Sequence, residues 1–166
     1  MSGVDRAALP TSECLPRSPG GALELVVLVG LPGSGKSTFA RRFAATHRLI
    51  SLDVLRGRRQ PAATQLRLVD EALAAGYSVV VDNVHAAPAA RAPLIALGHA
   101  RAARVVAYFL DAPKAVCLAR NRQRTGRARV PDVAIHVAAA RLVPPAPEEG
   151  FDEVRHVDAG GPGPPS

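Results

Sequence analysis

Several things are scarce in this 166-residue chain, and each scarcity removes a class of function. There are two cysteines, Cys14 and Cys117, too few for a disulfide framework and without metal-ligand spacing, so a reducing cytosol is the simplest expected home. Tryptophan is absent, and four Phe with two Tyr fall mostly inside apolar runs, where they read as core; a stacking platform for single-stranded nucleic acid is not expected. No apolar run approaches the roughly 20 residues a membrane helix needs, and the first 22 residues lack a signal peptide's hydrophobic centre. The five histidines are scattered at 47, 85, 99, 136 and 156 with no ligand spacing; four read as structural or exposed, and His85, soon after Asp82 and Asn83, is weighed as a group approaching an acceptor. Lysine is rarer still, with Lys36 and Lys114 standing against 19 arginines.

What is present suffices for one core. Hydrophobic residues make up 48% of the chain, enough to offset the entropy of ordering a single domain. The formal charge of +7 comes with abundant Arg and Ala, a pairing that base composition alone produces, so it is weak support for a polyanion partner. Proline and glycine without periodicity mark 1–22 and 159–166 as expected flexible tails around a folded part at 23–158, with no internal repeat.

Inside that part, short apolar runs alternate with helical patterns. Runs at 25–29, 49–52, 78–81 and 105–110 are too short for helices and too continuous for half-exposed strands, so they read as buried parallel strands, with a fifth near 154–157. Helical spacing appears at 36–45, with Phe39, Ala40, Phe43 and Ala44 on one face, and at 62–75, 88–100, 114–124 and 131–142. Pro93 either kinks the third helix or marks a later start. The alternation predicts an α/β three-layer sandwich, a mostly parallel five-stranded sheet with helices on both faces.

Directly after the first run stands Gly30-Leu-Pro-Gly33-Ser34-Gly35-Lys36-Ser37-Thr38, which satisfies the phosphate-loop pattern G-x-x-x-x-G-K-[ST] between a strand and a helix. The spelling alone arises by chance in roughly one such chain in a thousand. Glycines let backbone N–H groups turn inward onto phosphate oxygens, the following helix adds its positive end, Lys36 reaches the outer phosphates and Ser37 ligates Mg²⁺. The expected ligand is therefore ATP with Mg²⁺, held by Gly30, Gly33, Ser34, Gly35, Lys36, Ser37 and Thr38.

The loop alone does not choose among kinases, GTPases, motors and switches. Ligands of parallel sheets sit beyond the carboxyl ends of the strands, where Asp53, Asp82 and Asp111 fall. Asp53 with Arg56 suits a base that accepts a hydroxyl proton beside a cation that orients the acceptor, or else a helix cap. Asp82, followed by Asn83, is placed to hold Mg²⁺ or its water, or to pair with Arg56. Asp111 reads as an N-cap. Five arginines between Arg120 and Arg129 with no acid among them form an expected lid over the transferring phosphoryl group, with Arg120 and Arg124 on one face; a solvated basic face is the alternative. The absence of Asn-Lys-x-Asp disfavours a GTPase, and the length is short for a ring-forming AAA+ motor. The connection at 144–151 is a candidate base-side loop by position.

Together these residues resemble the kinase domain of the polynucleotide 5′-hydroxyl kinases, within the P-loop kinases that include zeta-toxin-like and small-molecule kinases. The resemblance covers about 24–158 and rests on 30–38, Asp53 with Arg56, Asp82-Asn83, Arg120-Asn121 with Arg124, and Val130-Pro131-Asp132. It implies that Asp53 is the base on the acceptor hydroxyl. It further implies that Arg56 and Asp82 shape the acceptor side and that Arg120 and Arg124 are lid residues on the phosphates. Val54 stands where a family member has a second acid, the stretch from Asp53 to Asp82 is short, and no phosphatase domain is expected after the kinase-like part. The acceptor, a nucleic-acid 5′ end or a small alcohol, is left open, as is a nucleotide-dependent switch that transfers nothing.

Overall fold

In a computed structural model of the chain, the described residues are 18, 22–52, 55 and 57–160. Five strands, β1 (Glu24–Val29), β2 (His47–Ser51), β3 (Ser78–Asp82), β4 (Arg104–Asp111) and β5 (Glu153–Asp158), form one sheet in the order β2-β3-β1-β4-β5. Every pairing is parallel. Parallel neighbours require crossovers, supplied by α1 (Lys36–Ala40), α2 (Pro61–Ala74), α3 (Pro88–Ala100), α4 (Lys114–Arg122) and α5 (Asp132–Arg141).

β1 lies at the centre, and its alternate side chains face two different layers, which is why it reads as an unbroken apolar run. Leu25, Val27 and Val29 pack with Val69 and Leu73 of α2 and Leu94 and Ile95 of α3. Val26 and Leu28 pack on the opposite face with Phe39 and Ala40 of α1. A third cluster joins Leu31, beside the loop after β1, to Cys117 of α4 and Ile135 of α5. Half the aromatic side chains go into one of these contacts: Phe39, Phe43 and Tyr108 lie with ring centroids 5.1 to 5.8 Å apart, locking α1 to β4.

The expected buried strands are confirmed in the middle of the sheet and corrected at its edges. β2 and β5 are the edge strands among the described residues, and Leu49 is 43% exposed, with no described strand pairing on their outer sides. The first helix is also shorter than its apolar spacing implies: it ends at Ala40 and tightens into a 3₁₀ turn at Arg41–Phe43, leaving Ala44 exposed. The third helix starts at Pro88, and Pro93 lies within it on the exposed face without ending it. Of the two expected tails, Ser18, Ala22, Ala159 and Gly160 are described and the remainder lies outside the described residues; Ser18 Oγ meets Ser78 Oγ at 2.6 Å. Among the described residues no helix is long and apolar enough to cross a membrane.

Candidate active site

The strands' carboxyl ends converge on one cleft. Its lining includes Gly33, Lys36 and Ser37 from the loop after β1, Leu52 after β2, Asp82, Asn83 and Val84 at the end of β3, and Arg124 and Arg127 from the segment after α4. Signals read separately between Gly33 and Arg127 therefore line one cleft.

The loop is shaped by its glycines. Gly33 (φ +85°) and Gly35 (φ +96°) occupy the left-handed region, which costs an L side chain about 1–2 kcal/mol. Gly33 is also pressed against α4, where a Cβ would stand 2.7 Å from the Cys117 carbonyl oxygen. The Ser34 amide donates to the Leu31 carbonyl at 3.0 Å and the Gly30 amide to the Val84 carbonyl at 3.2 Å, tying the loop to the segment after β3. Lys36 is buried, its Nζ donating to the Leu31 carbonyl at 2.8 Å, while Ser37 and Thr38 face solvent. Ser34 Oγ is buried with no protein partner, an open hydrogen-bonding group inside the cradle.

Ser37 Oγ donates to Asp82 Oδ2 at 2.8 Å. The two side chains separately expected at Mg²⁺ are in contact with each other: two hard oxygen ligands side by side at the mouth of the loop, a set that suits Mg²⁺, which binds through one or two protein oxygens with water and phosphate completing its shell. Among the described residues no group of three or more His, Cys, Asp or Glu is arranged to hold a metal.

The arginine-rich segment divides in two. Arg124 and Arg127 line the cleft. Arg120, expected on the phosphates, instead donates to the Gly33 and Ser34 carbonyls at 3.4 Å each and to the Ala159 carbonyl at 2.8 Å, bracing the back of the loop against the end of β5. The base of the segment is pinned by fully buried Asn121, which exchanges hydrogen bonds with the Val130 backbone at 2.7 and 3.0 Å and reaches Asp132 at 3.1 Å.

Other expectations are corrected. Asp111 is exposed and caps no helix; Pro113 occupies the N-cap of α4 without a side-chain bond. The connection at 144–151 runs down the α3 side, with Gly150 against Ile95 and the following Asp152 amide bonded to the Val105 carbonyl at the start of β4, so it leads away from the loop rather than flanking it. His85 does not face an acceptor: it is buried at φ +45°, its Nδ1 donating to the Leu28 carbonyl at 2.7 Å. Burial, with Lys36 and Arg91 nearby, pushes its pKa down to about 4 against the opposing backbone contacts, so the ring is neutral near pH 7 and Nε2 is left as an acceptor with no protein partner. Asp53 and Arg56, the expected base and acceptor cation, lie outside the described residues, as does Val54.

A model of the AAA domain matches residues 25–145. Among curated proteins, the chain is 35% identical over 107 residues to the transcription factor bHLH140 of Arabidopsis thaliana, covering 61% of this chain and 12% of that protein. It is 28% identical over 139 residues to the bifunctional polynucleotide phosphatase/kinase of Schizosaccharomyces pombe, covering 81% and 33%. The chain thus spans a third or less of the length of these relatives. Among solved structures, Kti12 of Chaetomium thermophilum in complex with ADP-AlF3 superposes with a TM-score of 0.66 at 19% identity, covering 81% of this chain and 88% of that one.

Proposed function

The chain belongs to the AAA domain family and has a P-loop kinase fold, and from that premise we propose that it is an ATP-dependent kinase that transfers the γ-phosphoryl group to a hydroxyl, with a polynucleotide 5′-OH end as the first acceptor to try. The observation that carries this reading is the Ser37–Asp82 contact beside Lys36, facing Arg124 and Arg127 across one cleft. Phosphoryl transfer needs little covalent chemistry from a protein; it needs phosphates held in line and their developing charge neutralised, and this cleft is built for both.

In the proposed reaction the loop amides and Lys36 hold the phosphate tail, and Arg124 and Arg127 face the transferring group. Mg²⁺, held by Ser37 and Asp82, would supply further neutralisation of the outer phosphates. The Asp53 carboxylate takes the proton of the acceptor hydroxyl as the new O–P bond forms and the bond to the β-phosphate oxygen breaks, leaving ADP. Arg56 and Asn83 shape the acceptor side. The relative named as a polynucleotide phosphatase/kinase supports the choice of first acceptor. Kti12, a fold neighbour, holds ADP-AlF3, which is compatible with nucleotide binding here and leaves a nucleotide-dependent switch as the alternative.

Radiolabelled ATP offered with 5′-hydroxyl oligonucleotides and a panel of small alcohols tests the reading. Lys36→Ala is expected to weaken nucleotide binding at least tenfold in calorimetry, as a loop cation contributes a charge-assisted contact of about 1.5–3 kcal/mol. Asp53→Asn is expected to retain binding and lose transfer. Intact binding with no transfer to any acceptor would move the assignment to the switch, and unchanged affinity in Lys36→Ala would remove the nucleotide site itself.

A further inference from the structure

Arg91 is the largest fully buried side chain among the described residues, and nothing in the cleft accounts for it. Its guanidinium forms a two-pronged pair with Glu149, Nε to Oε1 and Nη2 to Oε2, each at 2.8 Å. Nη1 donates to the carbonyls of His85 at 2.8 Å, Val143 at 3.0 Å and Ala86 at 3.3 Å. Glu149 is held in turn by the Ala146 amide at 2.9 Å, and the Val143 amide bonds the Ala86 carbonyl at 2.8 Å. Two stretches remote in sequence meet at this one cation: the segment after β3 that leads directly into helix α3, and the connection between α5 and β5, whose Val143 and Glu149 are 52 and 58 residues from Arg91.

Such a centre is a poor way to add stability, because burying a cation costs about as much as pairing it returns. Its geometry is better explained by what it holds. The segment clamped at His85 and Ala86 begins with Asp82, Asn83 and Val84, which line the cleft. His85 itself sits at a positive φ, and a strained backbone persists only where its surroundings over-determine it. Here the Arg91 contact to its carbonyl and the Leu28 contact to its ring both hold it. Glu149 lies beyond residues 25–145, so the clamp draws on a part of the chain that the family match does not reach.

We propose that Arg91 and Glu149 are positioning residues that fix the Asp82–Asn83 rim against the phosphate loop, so that the connection after α5 sets how well the Ser37–Asp82 pair receives the divalent cation of a bound nucleotide. The inference rests on the nucleotide-site reading of the preceding subsection. Its test is calorimetric titration of a non-hydrolysable ATP analogue at a series of Mg²⁺ concentrations, with and without the metal. Glu149→Gln keeps the shape and a hydrogen-bonding oxygen but removes the charge. It is expected to raise the Mg²⁺ concentration for half-maximal enhancement of binding about tenfold, the scale on which outer partners of metal ligands act, while metal-free affinity stays within about twofold. A folded Glu149→Gln with the wild-type Mg²⁺ dependence overturns the inference, and so does an equal loss with and without the metal, which marks general loosening. If Glu149→Gln does not fold, Arg91→Lys, which keeps the charge and loses the second prong, is compared in the same way. A wild-type protein that binds no nucleotide, or binds it without regard to Mg²⁺, refutes the site reading, and the inference with it.

Discussion

Replacing the two left-handed glycines of the phosphate loop one at a time separates backbone strain from steric contact. Gly33 and Gly35 have nearly the same φ, +85° and +96°, so an alanine at either carries a similar penalty of about 1–2 kcal/mol. Their surroundings differ completely. A Cβ at Gly35 meets nothing within 4 Å, whereas one at Gly33 stands 2.7 Å from the Cys117 carbonyl oxygen and 3.3 Å from the Cys117 carbonyl carbon and Cα. Those are backbone atoms of α4, so relief requires moving the helix or the loop, adding about 1–3 kcal/mol as overpacking does. Gly35→Ala is therefore expected to cost about 1–2 kcal/mol and Gly33→Ala about 2–5 kcal/mol. Urea unfolding without nucleotide measures both, and at about 2–4 °C per kcal/mol for a chain of this size the difference is also visible in the melting midpoint. Equal losses in the two variants, or a smaller loss at Gly33, would refute the claim that α4 presses on the loop.

Acid should weaken the protein through His85. Its folded pKa, about 4, lies below the ordinary 6.5, so between those values the unfolded chain holds the extra proton and stability falls as pH drops, by about 3 kcal/mol across the window. His85→Asn, whose side chain tolerates the left-handed backbone, should flatten that part of the pH profile in urea unfolding at pH 7.5 and 4.5; the same slope in both proteins would refute the buried neutral ring. Removing both cleft-facing arginines in Arg124→Gln/Arg127→Gln should lower kcat about 10³-fold in steady-state assays with a much smaller change in KM for ATP, and an unaltered kcat would return the segment to an ordinary solvated face.

The fold was legible in the sequence to the extent that it depends on local pattern. β1, β3 and β4 are buried on both faces, and continuous runs of Val and Leu announce that condition. The edge position of β2 was not legible, because strand order is a long-range property; a short apolar run looks alike whether one neighbour or two will pair with it. The phosphate loop is written in nine consecutive residues and needs no tertiary information. The Ser37–Asp82 contact spans 45 residues, yet the strand-end rule brings it within reach of sequence reasoning. Arg91 was missed for a physical reason. It lies on the same helix as the apolar Leu94 and Leu97, its partner is 58 residues away in a proline-rich connection, and an Arg among alanines is usually a surface residue. Arg120 has a contact the sequence does not announce: the basic run reaches the cleft through Arg124 and Arg127, while Arg120, on the helix that packs against Gly33, bonds the carbonyls of the loop instead.

The outermost position of β5 has a consequence for how this chain is made. Synthesis runs from the amino end, so β4 emerges with its far edge, residues 106–111, open until 153–158 follow and pair with it. That edge belongs to Val-Val-Ala-Tyr-Phe-Leu, an uncharged stretch of high β propensity, the kind that recruits strands from other molecules when left uncapped. A ribosome stalled or a protease cut anywhere between α4 and β5 would release a sheet with an adhesive margin, and the final strand acts as the seal against self-association.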